Sequence, residues 1–302
     1  MTGMTDGRSL ELYFIEGKPD GMLTAEVFNW TGHVLMTPRT RINVALARRE
    51  ARYTGVYLLL GEQDGCPRAY IGEGEDISDR IRNHDTNKDW WATAVLITSA
   101  ANNLNKAHVK YLEARLVEEA KAAGRSPLDN GNTPPRPSLS EAAQANMETF
   151  LAYLLMILPA LRVELFIRNT RPALAHTEAK SQLPRFILYN KARKLKASAV
   201  LQDGDFIVEA GSQANLNWDG QNTQHSGYAL LHEDLKQKGI LKQQNDQLVF
   251  TENYAFKSPS AAAGVVNGRP SNGTTEWRLA DGSMIYKEWE AAQLASTKDA
   301  AE

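Results

Sequence analysis

Apolar and polar positions alternate most tellingly between residues 55 and 124. An apolar run from Gly55-Val56-Tyr57 continues through Leu58, Leu59 and Leu60, crosses a polar turn with Asp64-Gly65, and resumes at Ala69-Tyr70-Ile71-Gly72. Two runs of β-formers around a Gly-containing loop predict a hairpin. From Asp76 to His84 the pattern turns helical: Asp76 is a cap candidate, Ile77 and Ile81 form an apolar ridge, and Arg80 and His84 stand beside it four residues apart. Ala94 to Thr98 predicts a third strand, after the tandem Trp90-Trp91. If extended, those two rings point to opposite faces, so one could meet a base while the other packs, or both could pack. Lys106 to Ala123 predicts a long helix with Asn105 as cap and Gly124 just past its end. Its stripe is Val109, Leu112, Leu116 and Ala120, and Glu113 projects within roughly 55° of the middle of that stripe, whereas Glu118 lies on the far side. An inward carboxylate is expensive to desolvate unless a cation, a metal or donors await it. Geometry alone leaves two accounts open: a metal ligand, or an ion pair with an arginine such as Arg80.

Elsewhere the pattern is coarser. Leu10 to Phe14 and Leu23 to Phe28 predict two strands around a Gly/Pro-rich loop. Arg39 to Arg52 fits a short helix or a strand. Asn130 to Pro137, with Asn-Gly and three prolines, reads as a boundary. Ser138 to Leu158 predicts a helix capped by Ser138 or Ser140 and ended by Pro159. Its C-terminal half is apolar on nearly all sides, which implies burial between domains or in a dimer interface. Val163 to Ile167 predicts a strand, and Arg168 to Leu183 a flexible linker. Beyond Pro184 come strands at Phe186–Tyr189, Ala197–Leu201 and Phe206–Glu209, then a helix over Tyr228–Lys238. Leu248–Phe250 and Tyr254–Phe256 follow, with a Ser258-capped helix to Gly268 and a closing amphipathic segment over Tyr286–Leu294.

Composition narrows the class. The chain has 302 residues, 42% hydrophobic and 23% charged, enough for two globular domains. Met1 to Leu10 has no secretory apolar core, and Phe150 to Leu161 is too short to span a bilayer, so a cytoplasmic protein without membrane association is expected. A single cysteine, Cys66, excludes an internal disulfide framework and a cysteine-based zinc site, and the six histidines show no ligand spacing. The net charge of −2 gives no general affinity for phosphate, so nucleic-acid contact must come from local clusters. The candidates are Arg48, Arg49 and Arg52; Lys106 and Lys110; and Lys191, Arg193, Lys194 and Lys196. For any one cluster taken alone, a solvated face is the first reading.

The order Tyr57, Tyr70, Arg80, His84, Glu113, Asn130 resembles the GIY-YIG nuclease family. Its first motif stands as Gly55-Val56-Tyr57, with Val for the family's Ile, and its second as Tyr70-Ile71-Gly72. Asn132 rivals Asn130 for the family's asparagine. Phe256-Lys257-Ser258-Pro259-Ser260, Ala261-Ala262-Ala263, Gly268, Asn272-Gly273 and Trp277 resemble a small domain of unknown function found behind GIY-YIG modules, similar to the RAMA domains attached to restriction enzymes and adenine methylases. That second resemblance covers roughly residues 190 to 290 and transfers no residue role; helix capping and turn chemistry explain its Ser-Pro-Ser and Asn-Gly elements by themselves.

The resemblances imply an α+β fold: a small three-stranded antiparallel sheet flanked by helices, plus a second small α+β domain. The expected organisation is a β-hairpin extension over 1–53, a nuclease domain over 54–137, a connecting helix and linker over 138–183, and a C-terminal domain over 184–295. The implied activity is a metal-dependent endonuclease on DNA, with the C-terminal domain selecting the target. RNA remains open as substrate, and a non-catalytic nucleic-acid-binding or partner-recruiting protein on the same scaffold is the alternative. Glu113 would hold a single Mg2+ or Mn2+, mostly hydrated, and Arg80 would grip the scissile phosphate. Tyr57 or Tyr70 would serve near the attacking water, with a cation lowering its pKa, and His84 would hold the phosphate or relay a proton. Lys106, Lys110, Arg193 and Lys194 are candidate nucleic-acid contacts.

Overall fold

The structure is a computed structural model and describes residues 7–171, 183–219 and 227–299. The chain is α+β, as expected, and divides into two units, Met1–Arg168 and Asn169–Glu302.

Unit 1 is built on strands β1 (Leu10–Phe14), β2 (Leu23–Val27), β3 (Gly32–Pro38), β4 (Gly55–Gln63), β5 (Cys66–Gly74) and β6 (Trp91–Ser99). They form one antiparallel sheet in the order β1-β2-β3-β6-β4-β5. The three expected strands stand together at one end, and the N-terminal hairpin β1–β2 continues the same sheet through β3. β3 has no counterpart in the sequence reading. It pairs with β6 over its whole length, from Gly32↔Ser99 to Pro38↔Thr93. Val34 and Leu35 are both fully buried, on opposite faces, and a strand covered on both sides shows no alternation. Arg39 to Arg52 forms short 3-10 turns around α1 (Ile42–Leu46).

The helices follow their caps. The Asp76 carboxylate accepts from the backbone N–H of Ser78 and Asp79 to start α2 (Ile77–Asn87). Asn105 accepts from His108 N–H to start α3 (Lys106–Ala123), and Gly124, at φ 60°, ends it in the left-handed region. Ser140, the second of two expected candidates, caps α4 (Glu141–Ala160). α1 and α2 cover one face of the sheet with Tyr57, Leu59, Ile77 and Ile81. α3 and α4 cover the other, with Val56, Leu58, Ile71, Leu112 and Leu116. Leu154, Ile157 and Leu158 of α4 are fully buried in that second core. The apolar half of α4 is thus spent inside unit 1, and neither a domain boundary nor a dimer is needed to explain it. Glu164–Phe166 is a 3-10 turn where a strand was expected. Its Leu165 and Phe166 fill the same core.

Unit 2 begins earlier than Pro184, with β7 (Thr170–Arg171); the rest of the expected linker, 172–182, lies outside the described residues. With β8 (Arg185–Asn190), β9 (Leu195–Gln202), β10 (Asp205–Val208), β14 (Asn253–Phe256) and β15 (Arg278–Leu279) it makes a sheet in the order β15-β8-β9-β10-β14-β7. β11 (Gln213–Asn215), β12 (Leu241–Gln244) and β13 (Gln247–Phe250) make a smaller one. Helices α5 (Gly227–Gln237), α6 (Pro259–Asn267), α7 (Gly273–Glu276) and α8 (Tyr286–Asp299) complete it. Ser258 caps α6 by accepting from Ala261 N–H. Trp277 is fully buried, and its indole N–H donates to the Pro259 carbonyl at 3.0 Å. Asn272-Gly273 marks a close approach: a Cβ on Gly273 would lie 2.0 Å from that same carbonyl oxygen.

Candidate active site

The site forms on the outer strand of the unit 1 sheet. Register places Tyr57 opposite Gly72 and Leu59 opposite Tyr70, so both tyrosines project from one face and meet diagonally, with ring centroids 6.1 Å apart. Gly72 makes this possible. A Cβ there would lie 2.4 Å from the Tyr57 hydroxyl and 2.9 Å from Tyr70 Cε1. Gly74 does the same for Arg80, whose Cγ would be 2.9 Å from an added Cβ. α2 then brings His84 over both rings, 4.6 Å from Tyr70 and 5.8 Å from Tyr57 by centroid, with Nε2 2.8 Å from the Tyr57 hydroxyl.

Burial depresses the His84 pKa, and the charges of Lys88 and Arg80 lower it further. His84 is therefore neutral at pH 7, and its unprotonated nitrogen can accept the Tyr57 O–H. Burial raises the pKa of both phenols; for Tyr70 the next cause is the negative charge of Glu113. Both are hydroxyls at rest.

Glu113 reaches this group from the other side. α3 packs on the face of the sheet opposite the tyrosine rings, but it runs against β5, the last strand, so its carboxylate acts on both hydroxyls alongside that strand. Glu113 is half-buried, and its pKa is raised to about 7 by burial and by the charge of Glu73, against the pull of Arg80, Lys106 and Lys110. Among the described residues no cation lies within 4.0 Å of it. The ion pair with Arg80 that sequence geometry left open is absent at contact distance. Arg80 is exposed; its Nε donates to the Glu73 carbonyl at 3.3 Å, and among the described residues no carboxylate pairs with its guanidinium. Lys106 is engaged instead by Glu73, at 2.9 Å. Glu73 had escaped the sequence reading; its signal was a carboxylate directly after Tyr70-Ile71-Gly72. Lys110 is exposed on the same helix.

Asn130 and its rival separate clearly. The Asn130 side chain accepts from Ile71 N–H at 3.0 Å and donates to the Ile71 carbonyl at 2.7 Å, imitating a neighbouring strand. Ala69 is held likewise by Pro127 and Asp129. Asn132 is exposed. Asn130 thus positions the Tyr70 strand from the place where the motif order expects the family's asparagine. Next to it, Asp129 binds Lys88 and Arg68, which hold its carboxyl below the usual range against the upward push of burial, and Lys88 also lies 4.8 Å from the Tyr70 ring centroid. Asn130→Ala leaves two strand groups without their partner, so stability falls by about 1–3 kcal/mol. Chemical denaturation checks this; an unchanged midpoint contradicts it.

The remaining candidates lie elsewhere. Arg193 and Lys194 are in the β8–β9 turn of unit 2. Arg193 pairs with Asp219 and donates to Asn215 at 2.9 Å. Lys194 is exposed, at φ 55° in the turn. Trp91 is buried beneath Arg39 and Trp90 half-buried beneath Arg68, so both rings pack.

Residues 188–290, about a third of the chain, match the model of a family described as a domain of unknown function, DUF4357. The match falls on the stretch expected to form the C-terminal domain. No curated protein and no solved structure matches the chain. Among the described residues, no helix is long and apolar enough to cross a membrane.

Proposed function

We propose that unit 1 is a metal-dependent endonuclease hydrolysing phosphodiester bonds in DNA, with the C-terminal domain contributing target recognition. One observation carries this reading: among the described residues the half-buried Glu113 carboxylate has no cation in contact and the Arg80 guanidinium no carboxylate, while the charges of both act on the two tyrosine hydroxyls. Natural proteins leave a buried carboxylate unpartnered rarely, and chiefly where a ligand completes it. A hard oxygen donor suits Mg2+ or Mn2+. No cluster of three or more His, Cys, Asp or Glu exists among the described residues, so water and substrate oxygens make up most of the shell. When bound, the ion supplies positive charge to the phosphate and orients an oxygen on it.

The protein's own groups divide the remaining work. Arg80 offers its planar fork to the scissile phosphate and stabilises the charge that grows there. The Tyr57–His84 bond favours Tyr57 over Tyr70 as the acceptor of the water proton, because Tyr57 can pass its own proton to the neutral imidazole in the same step. Tyr70 keeps its hydroxyl as a donor toward the phosphate.

A cleavage panel with Mg2+ and Mn2+ on single-stranded DNA, duplex, modified duplex and RNA tests the proposal. Products from at least one DNA form are expected. Intact DNA throughout contradicts it.

A further inference from the structure

We infer that unit 1 carries a second site, which seats an unpaired nucleobase of a nucleic-acid strand. A cavity of about 520 Å3 lies between the β2–β3 loop (Asn29, Trp30), Asn103 before α3 and His108 in its first turn, and one face of α4 (Asn146, Tyr153). That volume is in the range of small-molecule sites. Its wall is aromatic. Trp30 and Tyr153 are nearly parallel, 15° apart with centroids at 6.3 Å, and Phe150 closes on Trp30 at 4.9 Å. Flat rings of this kind stack bases of any sequence.

The polar groups agree with the rings. Three asparagine side chains line the cavity, each with an amide donor and a carbonyl acceptor, which is the pairing a base edge requires. None of the three has a side-chain hydrogen bond to the protein among the described residues. Among the described residues no Asp or Glu lines the cavity, so an ammonium ion finds no counter-charge there. Arg8 covers one face of Tyr153, 4.4 Å from the ring centroid, so a base stacks on the rings where Arg8 does not reach. A neutral planar heterocycle is what these walls fit.

The walls by themselves call for a neutral planar heterocycle; that the heterocycle belongs to a nucleic-acid strand rests on the proposed nuclease reading.

The test is equilibrium binding by the full chain, in EDTA, of a fluorescein-labelled single-stranded DNA and of an abasic strand of equal length and charge. Stacking alone makes the base-bearing strand bind about tenfold tighter. Tyr153→Ala, and Asn146→Leu at an exposed position of α4, reduce that advantage to below about threefold. Equal affinity for the abasic strand overturns the inference, as does an advantage that both variants keep. Chelation removes cleavage from the readout. Base preference in a protein that never cuts would sink the nuclease reading alone, and cutting without base preference would sink this site alone.

Discussion

Glu113→Gln is expected to remove divalent-ion binding and, at pH 8, to make the protein more stable. Burial and the neighbouring Glu73 raise the Glu113 pKa from 4.5 to about 7. Between those values the folded chain holds a proton that the unfolded chain has released, so stability falls as pH rises and the full penalty stands above pH 7. Glutamine keeps the shape and carries no charge. The variant should gain about 1–2 kcal/mol at pH 8, after allowance for solvent screening, and nothing at pH 4, where the wild-type carboxyl is neutral in both states. The same proton competes with the metal. Mg2+ affinity of the wild type should rise about tenfold per pH unit up to 7 and level off above it. Thermal melts at the two pH values and calorimetric Mn2+ titrations check both halves. A variant destabilised at pH 8 would mean that Glu113 serves the fold instead.

Gly72→Ala should damage the site more than its one methyl suggests. The new Cβ would sit 2.4 Å from the Tyr57 hydroxyl and 2.5 Å from Cζ, and the ring, 1% exposed, has no room to swing. Overpacking of this kind costs about 1–3 kcal/mol. Relief moves the hydroxyl off His84, and misplacement of a reacting group by an ångström lowers rate about 100-fold. Gly131→Ala, with nothing within 4 Å of its added Cβ, is the control and should behave as wild type. Cleavage rates and denaturation midpoints for the pair decide the matter; a Gly72→Ala enzyme of normal rate would contradict the packing.

Much of this arrangement was legible because it is local. Asp76, Asn105, Gly124 and Ser258 announce helix ends through their own side chains or their left-handed backbone, and each stands where the sequence put it. The Tyr57–Tyr70 meeting follows from hairpin register, which a glycine-bounded turn fixes over a few residues. What stayed hidden depends on partners far along the chain. β3 is covered on both faces, so it lacks the alternation that marks a half-exposed strand. The apolar end of α4 looked like an interface because nothing local says that α3 and the 3-10 turn at Glu164–Phe166 bury it. Asn130 could be matched to a motif, but its double bond to Ile71 arises only when the segment after α3 returns to β5. Arg193 read as one of a basic cluster, and only the fold sets Asp219 against it.

Among the described residues neither Glu113 on α3 nor Arg80 on α2 has an ion-pair partner, and phosphodiester cleavage is the work proposed for them. The measurement that meets it head-on is product formation from one DNA substrate by wild type, Arg80→Ala and Glu113→Gln, each with Mg2+ and with EDTA. Products should come from the wild type with Mg2+ alone, with both variants folded and inactive. Cutting by either variant at the wild-type rate, or by any of the three in EDTA, would contradict it.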